Sequence, residues 1–102
     1  VVVKDVSRSK LEHLLQIFLE EADNAEKRCK GYMEESQRIC AEAEKAWNEE
    51  AIKSSFEDPP RTPSPFVVPD RSRNMYSMAE FFGGTAHGLR QAVTSLQELL
   101  KE

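Results

Sequence analysis

From Leu11 to Ala51 the chain sets small or apolar residues against charged ones at alternating steps of three and four. Leu11, Leu15, Phe18, Ala22, Ala25, Cys29, Tyr32/Met33, Ser36, Ile39/Cys40, Ala43, Trp47 and Ala51 fall on one face of a helical repeat. Glu20, Glu21, Lys27, Arg28, Lys30, Glu34, Glu35, Arg38, Glu42, Glu44 and Lys45 fall opposite, where water holds them. The pattern predicts a long helix over about residues 9–54, on the order of 65 Å at the standard rise. Ser9-Lys10-Leu11-Glu12 has the form of a capping box and is expected to start it.

Gly31 is the weak point of that helix, because an interior glycine costs about 1 kcal/mol relative to alanine. A turn there would give a three-helix bundle. The apolar phase runs through it unshifted, however, and a continuous helix is the favoured reading. The middle of the stripe is built from Ala22, Ala25, Cys29, Ser36 and Ala43, residues small enough to let a neighbouring backbone approach closely. Trp47 stands beyond them as a candidate anchor.

Asp58-Pro59-Pro60 must end the helix, since proline lacks a donor and drives the preceding residue out of the helical region. A proline-rich loop over about residues 55–76 is expected to follow, with Phe66 to Pro69 as a short apolar patch. Thr62 and Ser64 each precede proline in this loop, which makes them candidates for proline-directed phosphorylation. A second capping-box sequence, Ser77-Met78-Ala79-Glu80, predicts a second, antiparallel helix over about residues 77–101. Its stripe is read as Met78, Phe82, Thr85, Leu89, Ala92, Leu96 and Leu99, widened by Phe81, Ala86, Val93 and Leu100. Gly83-Gly84 is a candidate kink, with Thr85 as a fresh cap. The expected fold is all-α, a helical hairpin or bundle fragment in which residues 1–102 form one helical unit. A second helix of about 35 Å would leave part of the longer stripe uncovered, to be met by another copy or a partner helix.

Composition narrows the chemistry. The chain has 102 residues, a formal charge of −4 and 39% hydrophobic residues, which places it with soluble proteins and not with disordered ones. It begins at Val1, as a fragment or processed product would, and Val1 to Ser7 is left as a lead-in without a strand. Val1 to Val3 is too short for a signal sequence or a membrane span, so a cytoplasmic location is expected. The 14 basic and 18 acidic residues are interspersed, with no basic stripe to follow a phosphate backbone, so nucleic acid is not an expected partner. Cys29 and Cys40 would lie roughly 16 Å apart along one helix, beyond disulfide reach. Neither has a histidine near it in sequence, and no metal or cofactor is expected. Gly83-Gly84-Thr85 lacks the lysine of a phosphate loop, and no nucleophile, base and oxyanion set can be assembled. An enzyme is not the expected reading.

A more specific pattern is spread over Leu11 to about Gln97. Phe18-Leu19-Glu20-Glu21-Ala22, a charged helical stretch, Ala43-Glu44-Lys45-Ala46-Trp47, the acidic-proline turn Phe56-Glu57-Asp58-Pro59, and Glu80-Phe81-Phe82 together resemble the C-terminal helices of a formin homology 2 domain. The resemblance implies an all-helical, dimer-forming, actin-directed element of the cytoskeleton. Phe18, Ala22, Phe81 and Phe82 match that family as packing residues, and no actin-contact residue carries over. The candidate interaction face is therefore Leu15, Phe18, Ala22, Ala25, Cys29, Tyr32, Met33, Trp47, Phe81, Phe82, Leu89 and Leu96, open to self-association or to a protein partner such as actin. An autonomous coiled-coil adaptor, switched at Thr62 and Ser64, is the competing expectation.

Overall fold

In the computed structural model, which describes residues 7–101, two antiparallel helices form a hairpin. α1 runs over Arg8–Ser55 and α2 over Asp70–Lys101. The lead-in of residues 1–6 lies outside the described residues. The body measures 81 × 19 × 17 Å, so among the described residues it is one helix pair in cross-section with no second layer.

The cap of α1 lies two residues earlier than its sequence suggests. Ser7, in extended backbone, accepts the Lys10 amide through its side chain at 3.3 Å and is the cap in place of Ser9. Glu12, expected to close a box on Ser9, instead pairs with Arg8 at 3.3 Å. The earlier start brings Arg8 into the helix, and its guanidinium donates to the Leu100 carbonyl at the far end of α2. Gly31 causes no break: α1 is continuous across it, which removes the three-helix alternative. At the other end Phe56 and Glu57 donate their amides to the carbonyls of Lys53 and Ser54, closing the last turn before Asp58-Pro59-Pro60.

α2 begins at Asp70, seven positions ahead of the predicted Ser77. Pro69 stands just before it and its carbonyl accepts the Arg73 amide, while Asp70 places a negative charge in the first turn. Ser77 is an ordinary helical residue, so the second capping box is not used. Gly83-Gly84 does not divide the helix, which is continuous through both residues. Thr85 donates its hydroxyl to the Phe81 carbonyl one turn back, which is helix-interior behaviour and not a cap.

Two distant contacts fix the register. Ser36 Oγ donates to the Ser72 carbonyl at 2.8 Å and Ser72 Oγ returns the bond to the Ser36 carbonyl at 2.9 Å, a reciprocal pair with both serines buried. Arg8 meets Leu100 as far ahead of Ser36 as Leu100 lies beyond Ser72. Between these ends the seam is made of Ala22, Ala25, Ala79, Ala86, Val93 and Leu96. Gly83 extends the close approach, since a Cβ there would sit 3.4 Å from the Cys29 sulfur. The buried line of α2 is thus rotated toward one edge of the predicted stripe: Ala86 and Val93, read as its widening, are inside with Leu96 and with Ala79, which the stripe left out, whereas Met78 and Thr85 are exposed and Ala92 is half-buried. Small side chains take the centre because the backbones are close, and the larger Met78 and Phe81 are turned to the flank.

The rest of α1, beyond Ser36, is not left bare. Residues 60–69 run back along it without helix or strand, as a strap. Trp47 Nε1 donates to the Ser64 carbonyl at 2.8 Å and Phe66 packs edge-on against the indole, with centroids 6.3 Å apart. Arg61 ties the start of the strap down: its amide donates to the Ser54 carbonyl, and its guanidinium donates to Ser54 Oγ at 3.2 Å and reaches Glu50 at 3.5 Å. The expected leftover stripe is therefore covered by the chain itself. α2 is longer than predicted, and the strap takes over where it ends.

Candidate interaction surface

The hairpin divides the twelve predicted interface residues between its own seam and its surface. Ala22, Ala25 and Leu96 are buried between the helices and are not available to a partner. Leu15, Phe18, Cys29, Tyr32, Met33, Phe82 and Leu89 are half-buried along the edges of the seam. Trp47 is half-buried beneath the strap, and Phe81 stands 65% exposed. Cys29 and Cys40 are free thiols.

The two open sides of the hairpin differ in chemistry. On one, the Tyr32 and Phe82 rings stack in parallel, 5.6 Å between centroids with 6° between planes, joining α1 to α2. Phe81 sets its edge against Phe82 at 5.3 Å, and the Arg28 guanidinium lies 5.4 Å from the Phe82 ring centre. Met78, one turn before Phe82 on α2, is 40% exposed. Leu14 and Ile17, on the Tyr32 side of the α1 seam by helical phase, are 38% and 39% exposed. This side carries two apolar groups, Leu14 with Ile17 and Met78 with the aromatic residues, while Glu21, Asn24, Arg28 and Thr85 line the hollow beside Phe82.

On the opposite side a shallow groove of about 500 Å³ has Cys29, Met33, Gly83 and Ala86 among its lining residues, with Glu26, Lys30, Glu34, His87 and Arg90 around them. Arg90 bridges the helices there, donating to Glu26 at 2.9 Å and Asp23 at 2.6 Å. Its hydrogen bond holds the Glu26 carboxyl below the ordinary carboxylate value of 4.5, against the opposing pull of desolvation. Glu35 is likewise lowered, mainly by its hydrogen bond from Arg38 and further by Arg71 across the hairpin. Because these carboxyls bind protons more weakly folded than unfolded, they stabilise the hairpin above pH 4.5. That contribution is lost as the pH falls through their lowered folded values. Urea melts between pH 7 and pH 3 should show it as a fall in stability that is smaller in Arg90→Gln; identical pH profiles would deny the bridge a role.

Both carboxyls displaced from their ordinary values are set by surface ion pairs. Among the described residues no group of three or more His, Cys, Asp and Glu side chains gathers to hold a metal, and no helix is long and apolar enough to cross a membrane. Leu14, Ile17, Tyr76 and Met78 on the helix pair, and Ile52, Phe56, Val67 and Val68 toward the turn and strap, are exposed apolar residues that the predicted face omitted. Met78 stands in the α2 stripe read from the sequence, and Leu14, Ile17 and Tyr76 lie one step outside the seam by helical phase. Family models, curated proteins and solved structures were compared with the chain, and none matches it.

Proposed function

We propose that this chain is a non-enzymatic helical interaction element that seats its aromatic side on the helices of a larger helical body. The observation that carries the proposal is the single-layer cross-section of 19 × 17 Å. Two helices bury one seam, whereas a domain core normally closes a second layer over the remaining apolar flank. Here that flank holds Phe81, Met78, Leu14 and Ile17, with Phe82 and Tyr32 supporting it. Aromatic residues held rigid by their neighbours are the usual anchors of such contacts.

The specific reading is a cytoplasmic, formin-like element acting in actin filament nucleation and elongation. Support comes from Phe18, Ala22, Phe81 and Phe82, which resemble that family's packing positions, and from the order of long helix, acidic-proline turn and final helix. Pyrene-actin polymerisation and co-sedimentation over a concentration series test it. The expected result is a concentration-dependent change in polymerisation rate that Phe81→Ser weakens; no binding and no rate change at any concentration would remove actin from the proposal. The broader reading is tested by light scattering, in which wild type should associate more than Met78→Ser/Phe81→Ser. Equal masses at every concentration would count against it.

A second reading has an observation of its own. The Ser36–Ser72 exchange and the Arg8–Leu100 contact satisfy the stripe within one chain, as in an autonomous adaptor that folds before it binds. Hydrogen exchange separates the two, because an autonomous hairpin protects Ala22 and Ala86 amides in the absence of any partner.

A further inference from the structure

The strap carries the one pair of hydroxyl residues in the chain that are followed by proline, Thr62-Pro63 and Ser64-Pro65. Both are exposed, in a stretch free of helix and strand. Proline at the next position holds each of them in the extended backbone region, which suits entry into a kinase cleft. The same few residues hold the strap to α1. Ser64 supplies the carbonyl that takes the Trp47 indole N–H, and Arg61, next to Thr62, holds Ser54 and Glu50.

We propose that Thr62 and Ser64 are phosphorylated by a proline-directed serine/threonine kinase and that the modification releases the strap from α1, uncovering Trp47. In the reaction the hydroxyl oxygen bonds to the γ-phosphorus of ATP, the bond from that phosphorus to the β,γ-bridging oxygen breaks, ADP leaves, and the hydroxyl proton passes to the kinase. Each site then gains a nearly doubly negative group. Its surroundings cannot absorb that charge and keep the strap docked. Arg61 is the strap's single cation, and it is already shared among Glu50, Glu57 and Ser54. A phosphate that captures Arg61 takes it from α1; a phosphate that does not is left beside Glu50 and the negative end of the α1 dipole. The first outcome removes ties that hold the strap down, and the second sets like-charge repulsion against them. The groove of about 290 Å³ between the strap and α1, bordered by Trp47, Glu50, Ala51 and Ser54, then opens to water.

The chain's only tryptophan reports the event directly. The full chain is treated with a proline-directed kinase and ATP, the sites are mapped by mass spectrometry, and Trp47 emission and acrylamide quenching are followed. Phosphate at Thr62 and Ser64, a red shift of the emission and increased quenching are expected, with the far-ultraviolet helical signal retained. Thr62→Ala/Ser64→Ala should keep the unphosphorylated emission through the same treatment, since among the described residues neither hydroxyl makes a hydrogen bond whose loss would disturb the fold. Failure of the kinase to modify either residue in the folded chain overturns the proposal. So does a phosphorylated chain whose Trp47 emission and quenching do not move, or an equal shift in the double alanine variant.

Discussion

Replacing Ala22 with leucine will destabilise the hairpin by about 1–3 kcal/mol, the cost of forcing extra methylenes into a filled seam. Ala22 has no exposed surface. It also lies midway between the two contacts that fix the register, Arg8–Leu100 and Ser36–Ser72, which puts it level with buried Ala86 on α2. A leucine there has no free volume to enter, and the helices can accept it only by moving apart. A separation that reaches Ser36 and Ser72 also strains the reciprocal serine bonds, because each hydroxyl reaches the facing backbone directly. The loss should appear as a lower urea midpoint and a lower helical signal, since long helices in proteins owe most of their stability to packing. Ala46→Leu is the control: Ala46 is exposed on the same helix, and alanine and leucine have similar helix propensity. Equal midpoints for the two variants would mean that the seam is not closely packed.

The same seam explains which parts of the fold the sequence reveals. α1 is legible because its stripe runs for many turns in one phase and ends at Asp58-Pro59-Pro60, where proline chemistry leaves no choice. Its start is misplaced by two residues because Ser7 and Ser9 can both cap; Ser7 does so, and the helix then includes Arg8, which donates to the distant Leu100 carbonyl. The first turns of α2 are hidden for a different reason. Asp70-Arg71-Ser72-Arg73-Asn74 looks like a solvated loop, yet Ser72 and Met75 lie in phase with Ala79, Phe82 and Ala86. Serine counts as a small seam residue at position 36 and should count so at position 72, where its hydroxyl is satisfied by the opposite backbone. The rotation of the α2 stripe follows from size. A heptad rule selects the bulky Met78, whereas two close backbones select Ala79. The strap's path cannot be read from local pattern at all, because the contacts that place it, Trp47 to Ser64 and Arg61 to Ser54, join residues that no periodicity relates.

Phe81→Ala and Phe82→Ala, neighbours in sequence, should have opposite consequences. Phe82 is half-buried, stacks on Tyr32 from α1, receives the edge of Phe81 and carries Arg28 over its ring. Its removal deletes an aromatic pair across the hairpin and leaves a hollow beside Ala25, at a cost of about 2–3 kcal/mol, below that of a fully enclosed phenylalanine because part of the ring already faces water. Chemical denaturation should therefore show a clear loss. Phe81 is 65% exposed and touches the hairpin through Phe82, so its truncation should change stability by no more than about 0.5 kcal/mol. Its effect belongs to binding. An exposed aromatic backed by a rigid stack is a low-entropy anchor, and losing it should weaken association by about 1 kcal/mol or more while helicity and denaturation midpoint stay at wild-type values. If instead Phe81→Ala lowers stability as Phe82→Ala does, both rings belong to the hairpin's own packing and the aromatic side is not a docking surface. If Phe81→Ala leaves stability and association alike unchanged, the partner seats elsewhere, and the strap face around Trp47 becomes the surface to test.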